Sequence, residues 1–214
     1  MTIKAVLFDM DGVLVDSERY HVEAFVELFK RHGVKLTAKD TAGIFGQLDE
    51  HIIEDLCKRK KVPCTVAAWG AEKRTIATDL MRKSKMFLFP GVKSMLALVK
   101  KKYKVGLATS SSRAEAEIVL LKIGLRNSFD AILTREDVHT HKPSPEIYTK
   151  LSERFKCLPE ECVVIEDSIT GVTAAKRANM RCIAVLNTFP AAKLKEADLV
   201  VKRLDDQKVQ EFLS

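Results

Sequence analysis

The stretch IKAVLFDMDGVLVDSE, residues 3–18, decides how this chain is read. Its apolar run, Ile3 to Phe8 interrupted only by Lys4, reads as a buried strand. That strand delivers two acids one residue apart, Asp9 and Asp11, followed by Gly12. Asp-Gly between two apolar runs is also a hairpin signal, so Asp11-Gly12 could simply join residues 3–8 to residues 13–15. A calcium loop of the EF-hand type fits less well, because its twelfth position counted from Asp9 is Tyr20, where a bidentate Glu is needed. The window alone leaves turn and functional site open, and the rest of the chain must choose.

The 214 residues suffice for one large domain, or one domain carrying a smaller insert. With 46% hydrophobic and 30% charged residues, the composition is that of a globular protein with a substantial core. No apolar run approaches the ~20 residues of a membrane span, and the first strand begins without a leader pattern, so a cytoplasmic protein is expected. Cys57, Cys64, Cys157, Cys162 and Cys182 form no CxxC pair, which suits reduced thiols and not a disulfide frame or a zinc site. The formal charge of +7 admits nucleic acid, an anionic membrane surface or a small anionic substrate. Its clusters at 58–61 (KRKK) and 100–104 (KKKYK) carry few interleaved aromatics, so they read as solvated helix faces. The expectation is a monomer acting on a small molecule, without a nucleic-acid or membrane partner.

After residue 87 short β-like runs alternate with helical ones. Runs at 105–108, 131–133, 162–165, 183–186 and 199–201 are interleaved with helical patterns at about 111–124, 144–156 and 169–179. This βαβ series predicts an α/β fold, a Rossmann-like doubly wound parallel sheet, whose ligands bind beyond the carboxyl ends of the strands. Residues 17 to 86 differ: helical spacing over 18–31, about 38–60 and about 65–84, with no convincing strand, predicts an inserted α-helical domain. The expected boundaries are 1–16 with 87–214 for the core and 17–86 for the insert.

Four predicted strand ends carry polar residues of one chemical kind. They supply Asp9 and Asp11; Thr109, Ser110 and Ser111; Lys142-Pro143 in the loop after the third strand; and Glu166, Asp167 and Ser168, with Gly171 following. Each group has an ordinary reading as a cap or loop residue. Those readings do not explain why all four sit at strand ends. Four carboxylates in one crevice repel one another unless a cation neutralises them, and hard oxygen ligands suit Mg²⁺. A lysine and hydroxyls beside such an ion would hold a phosphoryl group, with one acid as nucleophile and another as proton donor.

The motifs Asp9-x-Asp11-Gly12-Val13-Leu14-x-Asp16-Ser17, Thr109-Ser110-Ser111, Lys142-Pro143-x-Pro145 and Glu166-Asp167-Ser168-x-x-Gly171 resemble those of the haloacid dehalogenase superfamily. The likeness is to the branch of β-phosphoglucomutases and small sugar-phosphate and phosphoglycolate phosphatases, which carries a helical cap. The resemblance implies Asp9 as nucleophile and Asp11 as general acid and base. It implies Mg²⁺ held by Asp9, the Asp11 carbonyl and Asp167, with Glu166 in support, and the phosphoryl group held by Lys142 and by Thr109 or its neighbour Ser110. In the cap it points to Gly46, Gln47, Asp49 and His21 as substrate residues. Asp49 stands where the sugar mutases similar to this chain have an arginine gripping a second phosphate. The implied activity is therefore an Mg-dependent phosphatase acting on a small phosphorylated metabolite, with a mutase as the alternative. Dehalogenases of the superfamily lack the second aspartate present here, and a nucleic-acid-binding protein is the remaining, different class.

Overall fold

The computed structural model describes residues 2–42, 44 and 47–214, which form two compact units: Met1–Asp16 with Met86–Ser214, and Ser17–Lys85. In the first unit β1 (Ala5–Phe8) is followed by α5 (Val92–Val99), β2 (Lys104–Ala108), α6 (Arg113–Lys122), β3 (Ala131–Leu133) and α7 (Glu146–Phe155). β4 (Cys162–Glu166), α8 (Ile169–Arg177), β5 (Arg181–Val185), β6 (Leu199–Val201) and α9 (Gln207–Leu213) complete it. The helical unit holds α1 (Glu18–Arg31), α2 (Ala38–Thr41), α3 (Asp49–Lys60) and α4 (Val66–Lys83).

The six strands are all parallel in the order β3-β2-β1-β4-β5-β6. This is the doubly wound sheet expected from the sequence, and its strand order reverses between β1 and β4, where such folds open a crevice. β1 and β4 are apolar except for Glu166 and buried throughout, as central parallel strands must be. Alternation sends Ala5 and Leu7 into a core shared with Tyr148 and Leu151 of α7 and Val172 of α8. Phe8 points to the opposite face, where its ring meets Phe129 edge-on at 6.2 Å.

In the helical unit α1 buries Tyr20, Ala24, Phe25, Leu28 and Phe29, a stripe at helical spacing, and Gly33 at φ +76° ends its terminal turn. The single helix expected over 38–60 is two. Thr37 and Asp40 close a capping box around α2, the chain leaves helical geometry at Ala42 (ψ 124°), and α3 begins only after the extended Leu48. Helix α5 was not anticipated: its short, largely apolar sequence VKSMLALV lacks a long amphipathic period.

Candidate active site

Each strand at the switch point ends in the polar residue that its apolar stretch projects. The sheet ladder continues one residue past β1 and β2, with Asp9 N–H donating to Ile165 O at 3.0 Å and Thr109 N–H to Leu133 O at 3.0 Å. Asp9 and Thr109 are thereby fixed by backbone bonds at the carboxyl edge of the sheet. Gly12 follows at φ +80°, and a β-carbon there would collide with the Asp167 carboxylate, so only glycine lets the β1 loop pass this close to β4.

Lys142 is the hub. Its ammonium donates to Asp9 Oδ1 at 2.5 Å, Glu166 Oε1 at 2.7 Å and the Ala108 carbonyl at 3.2 Å, and it lies 5.0 Å from the centre of the Tyr148 ring. Burial works against its charge, but the carboxylates of Asp9 and Glu166 outweigh that and hold the ammonium above its ordinary pKa. Glu166 is buried too, and Lys142, Tyr148 and the Ser168 amide offset that burial to keep its carboxyl below the usual value. Five donors converge on Glu166: Lys142 and Tyr148 on Oε1, and the Asp167 amide with the Ser168 amide and hydroxyl on Oε2. The Cα of Gly171 completes this pocket, since a β-carbon there would overlap the Glu166 carboxylate.

Asp9 is balanced differently. Burial pushes its carboxyl well above the ordinary range, Lys142 opposes this, and the nearby charges of Glu166 and Asp11 push in the same direction as burial. One ammonium is shared between the buried carboxylates of Asp9 and Glu166. One oxygen each from Asp9, Glu166 and Asp167 lies within 4.8 Å of the others, so the cluster combines hard oxygen donors with a shortage of positive charge. That donor set fits a divalent cation. Asp167 also accepts a short hydrogen bond from the Thr188 hydroxyl, and Asn187 donates to the Gly12 carbonyl at 2.7 Å.

Asp11 faces the loop after β2, its Oδ2 accepting from Thr109 Oγ1 at 3.1 Å and from Ser111 Oγ at 2.7 Å. Of the hydroxyls after β2, Thr109 and Ser111 are buried and turn onto this acid, while Ser110, the expected alternative to Thr109, is exposed. Tyr148, Asn187 and Thr188 were not foreseen as site residues, and Ser111, present in the strand-end motif, was given no role. For Asn187 and Thr188 the signal existed, because they follow the carboxyl end of β5 as the others follow theirs.

The residues expected in the insert belong to the helical unit. His21 Nδ1 and Asp49 Oδ1 each lie 2.8 Å from the ammonium of Lys73, which is only 1% exposed and 4.8 Å from the Phe25 ring centre. Arg74 pairs with Glu50 at 3.2 Å. Gln47 is exposed, and Gly46 lies outside the described residues.

Comparisons with known proteins agree with this geometry. The haloacid dehalogenase-like hydrolase family matches residues 6–185. A validoxylamine A 7'-phosphate phosphatase of Streptomyces hygroscopicus subsp. limoneus is 31% identical over 216 residues, covering 95% of each chain. A phosphorylated carbohydrates phosphatase of Thermotoga maritima is 33% identical over 186 residues, covering 85% of this chain and 84% of the relative. A crystal structure of CbbY from Rhodobacter sphaeroides in complex with phosphate superposes with a TM-score of 0.84 at 26% identity over 96% of each chain. Against the chloroplastic protein SUPPRESSOR OF QUENCHING 1 of Arabidopsis thaliana the identity is 36% over 91% of this chain, which spans only 19% of that longer protein. With the fold, the four strand-end motifs and the match over residues 6–185 in agreement, the chain belongs to the haloacid dehalogenase-like hydrolase family.

Proposed function

We propose that this protein is a Mg²⁺-dependent phosphatase that hydrolyses a small, sugar-like phosphate monoester through a phosphorylated Asp9. The observation that carries the reading is the division of labour between the acids of the β1 loop: Asp9 is bonded to the buried ammonium of Lys142, whereas Asp11 accepts from the hydroxyls of Thr109 and Ser111. An ion pair suits a nucleophile that must be anionic, and a hydroxyl-bonded carboxyl suits a group that exchanges a proton. In the first step a carboxylate oxygen of Asp9 attacks phosphorus, the bond to the ester oxygen breaks, and Asp11 gives that oxygen its proton. In the second, water attacks the same phosphorus, Asp11 takes the proton, and orthophosphate leaves Asp9 as a free carboxylate.

Lys142 and Thr109 hold the phosphoryl oxygens in this reading, with the Ser110 backbone beside them. A Mg²⁺ ion held by Asp9 and Asp167 would supply positive charge to the transferring group. Glu166 acts through Lys142 and the turn after β4. Substrate choice is assigned to the helical insert, residues 17–86, as a cap. The two nearby phosphatase relatives support the reaction class, and their names support a sugar-like substrate. Within the helical unit Asp49 takes up Lys73 and Glu50 takes up Arg74, so two of the cations that could hold a second phosphate are already engaged. This favours a phosphatase over a mutase.

The test is orthophosphate release from a panel of sugar phosphates with Mg²⁺, for the wild type and Asp9→Asn. The amide keeps the shape but cannot attack phosphorus, so less than about 1% of turnover should remain. A chelator-resistant activity, a fully active Asp9→Asn variant, or rapid conversion of β-glucose 1-phosphate to glucose 6-phosphate with little orthophosphate would each overturn the assignment.

A further inference from the structure

We infer that the amino-terminal edge of the sheet carries a second anion site, a lysine-lined hollow that takes a small polyphosphate. Lys4 precedes β1, Lys100, Lys101 and Lys102 form the turn after α5, and Lys104 opens β2. Parallel pairing of β1 with β2, Ala5 beside Lys104, brings these separate segments together around a hollow of about 550 Å³. All five lysines are exposed. Among the described residues two acids are seen to oppose them: Glu161 pairs with Lys4 at 2.6 Å, and Asp130 accepts from the Val105 amide at 2.8 Å. The ammonium of Lys100 reaches only a carbonyl, Asn127 O at 3.4 Å, and those of Lys101, Lys102 and Lys104 have no partner among the described residues. Five positive charges against two negative leave a surplus of three in one hollow, from a chain whose whole excess is seven.

Gathering like charges is unfavourable even in water, and a multivalent anion reverses the sign of that contribution. Lysines suit such a ligand because each ammonium turns freely toward a phosphate oxygen without the planar match an arginine requires. The hollow is open to solvent, and its one aromatic residue, Tyr103, is half-buried with its hydroxyl donating to Leu213 O at 2.8 Å. That ring serves as an anchor for the C-terminal helix, not as a platform for a base. A phosphate chain with three or four charges matches the surplus better than a nucleic acid does. The hollow and Asp9 lie at opposite ends of β1, roughly 15 Å apart at about 3.3 Å per residue, so both can be filled at once.

The experiment is calorimetric titration of the full chain with inorganic tripolyphosphate in EDTA at about 0.1 M salt, where phosphoryl transfer is suppressed and surface charge is incompletely screened. One molecule should bind per chain. The double variant Lys101→Glu/Lys102→Glu should weaken binding at least about tenfold, as raising the salt to roughly 0.4 M should. Its p-nitrophenyl phosphate hydrolysis should match the wild type, showing that the fold and the Asp9 site are intact. Binding that survives the double variant would place the ligand elsewhere and overturn the proposal. Absence of binding to the wild type would overturn it equally. Parallel arms with phosphatidylserine vesicles and a DNA duplex identify the source: charge-dependent binding there, without tripolyphosphate binding, would make the hollow a macromolecular surface instead.

Discussion

Among the described residues each unit of the chain buries one lysine, and the two are neutralised differently. Lys142 faces two carboxylates, Asp9 and Glu166, with Asp11 and Asp167 close behind. Lys73 faces a single carboxylate, Asp49, with the remaining contacts made by the His21 ring nitrogen and the Phe25 face. One acid for one ammonium closes the account in the helical unit. At the sheet edge the acids outnumber the lysine, and burial together with the charges of Glu166 and Asp11 pushes the Asp9 carboxyl upward against the pull of Lys142. A buried lysine therefore marks a reactive site only where its surroundings are left out of balance.

Lys142→Ala should break the comparison most severely. It leaves two buried carboxylates without their counterion, and turnover should fall at least about a thousandfold, as when a main charge-stabilising donor is removed. Stability should fall by up to about 3–5 kcal/mol, less whatever protonation of Asp9 relieves. Steady-state kinetics and urea unfolding read the two losses separately. Lys73→Met should cost about 2–4 kcal/mol, the lower end because Asp49 keeps some contact with water. If the pair is self-sufficient, the double variant Lys73→Met/Asp49→Leu should regain most of that loss in the same unfolding measurement.

Smaller changes sharpen the same contrast. Tyr148→Phe removes one of the five donors to Glu166, and a loss of about 1 kcal/mol with only a few-fold drop in turnover is expected. A larger drop would mean that the hydroxyl itself reaches the substrate. The least effect concerns Asp40, whose carboxyl is held well below the usual range by Lys60, at 2.6 Å, and by the Thr37 hydroxyl and amide. Because the folded value is depressed, its contribution is complete above about pH 4 and is lost as the pH falls through the lowered value. Asp40→Asn should therefore flatten the dependence of the urea midpoint on pH below about pH 4 and leave it parallel to wild type above.

The sheet was legible in the sequence because central parallel strands must be continuously apolar, which made AVLF and CVVI stand out and put every following polar residue at a strand end. The gathering of Asp9, Lys142 and Glu166 was legible for the same reason. The choice among Thr109, Ser110 and Ser111 was not, since the chain leaves strand alternation there and only the turn decides which hydroxyls face Asp11. Tyr148 read as one more apolar position of α7, and its hydroxyl acquires meaning only from Glu166, 18 residues away. Lys73 lies 24 residues from Asp49 and 52 from His21, beyond any local pattern. The break between α2 and α3 was missed because the apolar residues on either side keep a helical period across it.

The crowding of donors on Glu166 bears on how the enzyme meets its medium. A carboxylate offers about four lone-pair sites, and five donors already claim them. Little remains for a cation, and the magnesium of the proposed reaction would rely chiefly on the carboxylates of Asp9 and Asp167 and keep much of its own hydration. An ion held so sparingly would exchange readily with solution. The rate of the proposed reaction would then rise and fall with the concentration of free magnesium, so the saturation of Glu166 would tune the protein to its surroundings as well as to its substrate.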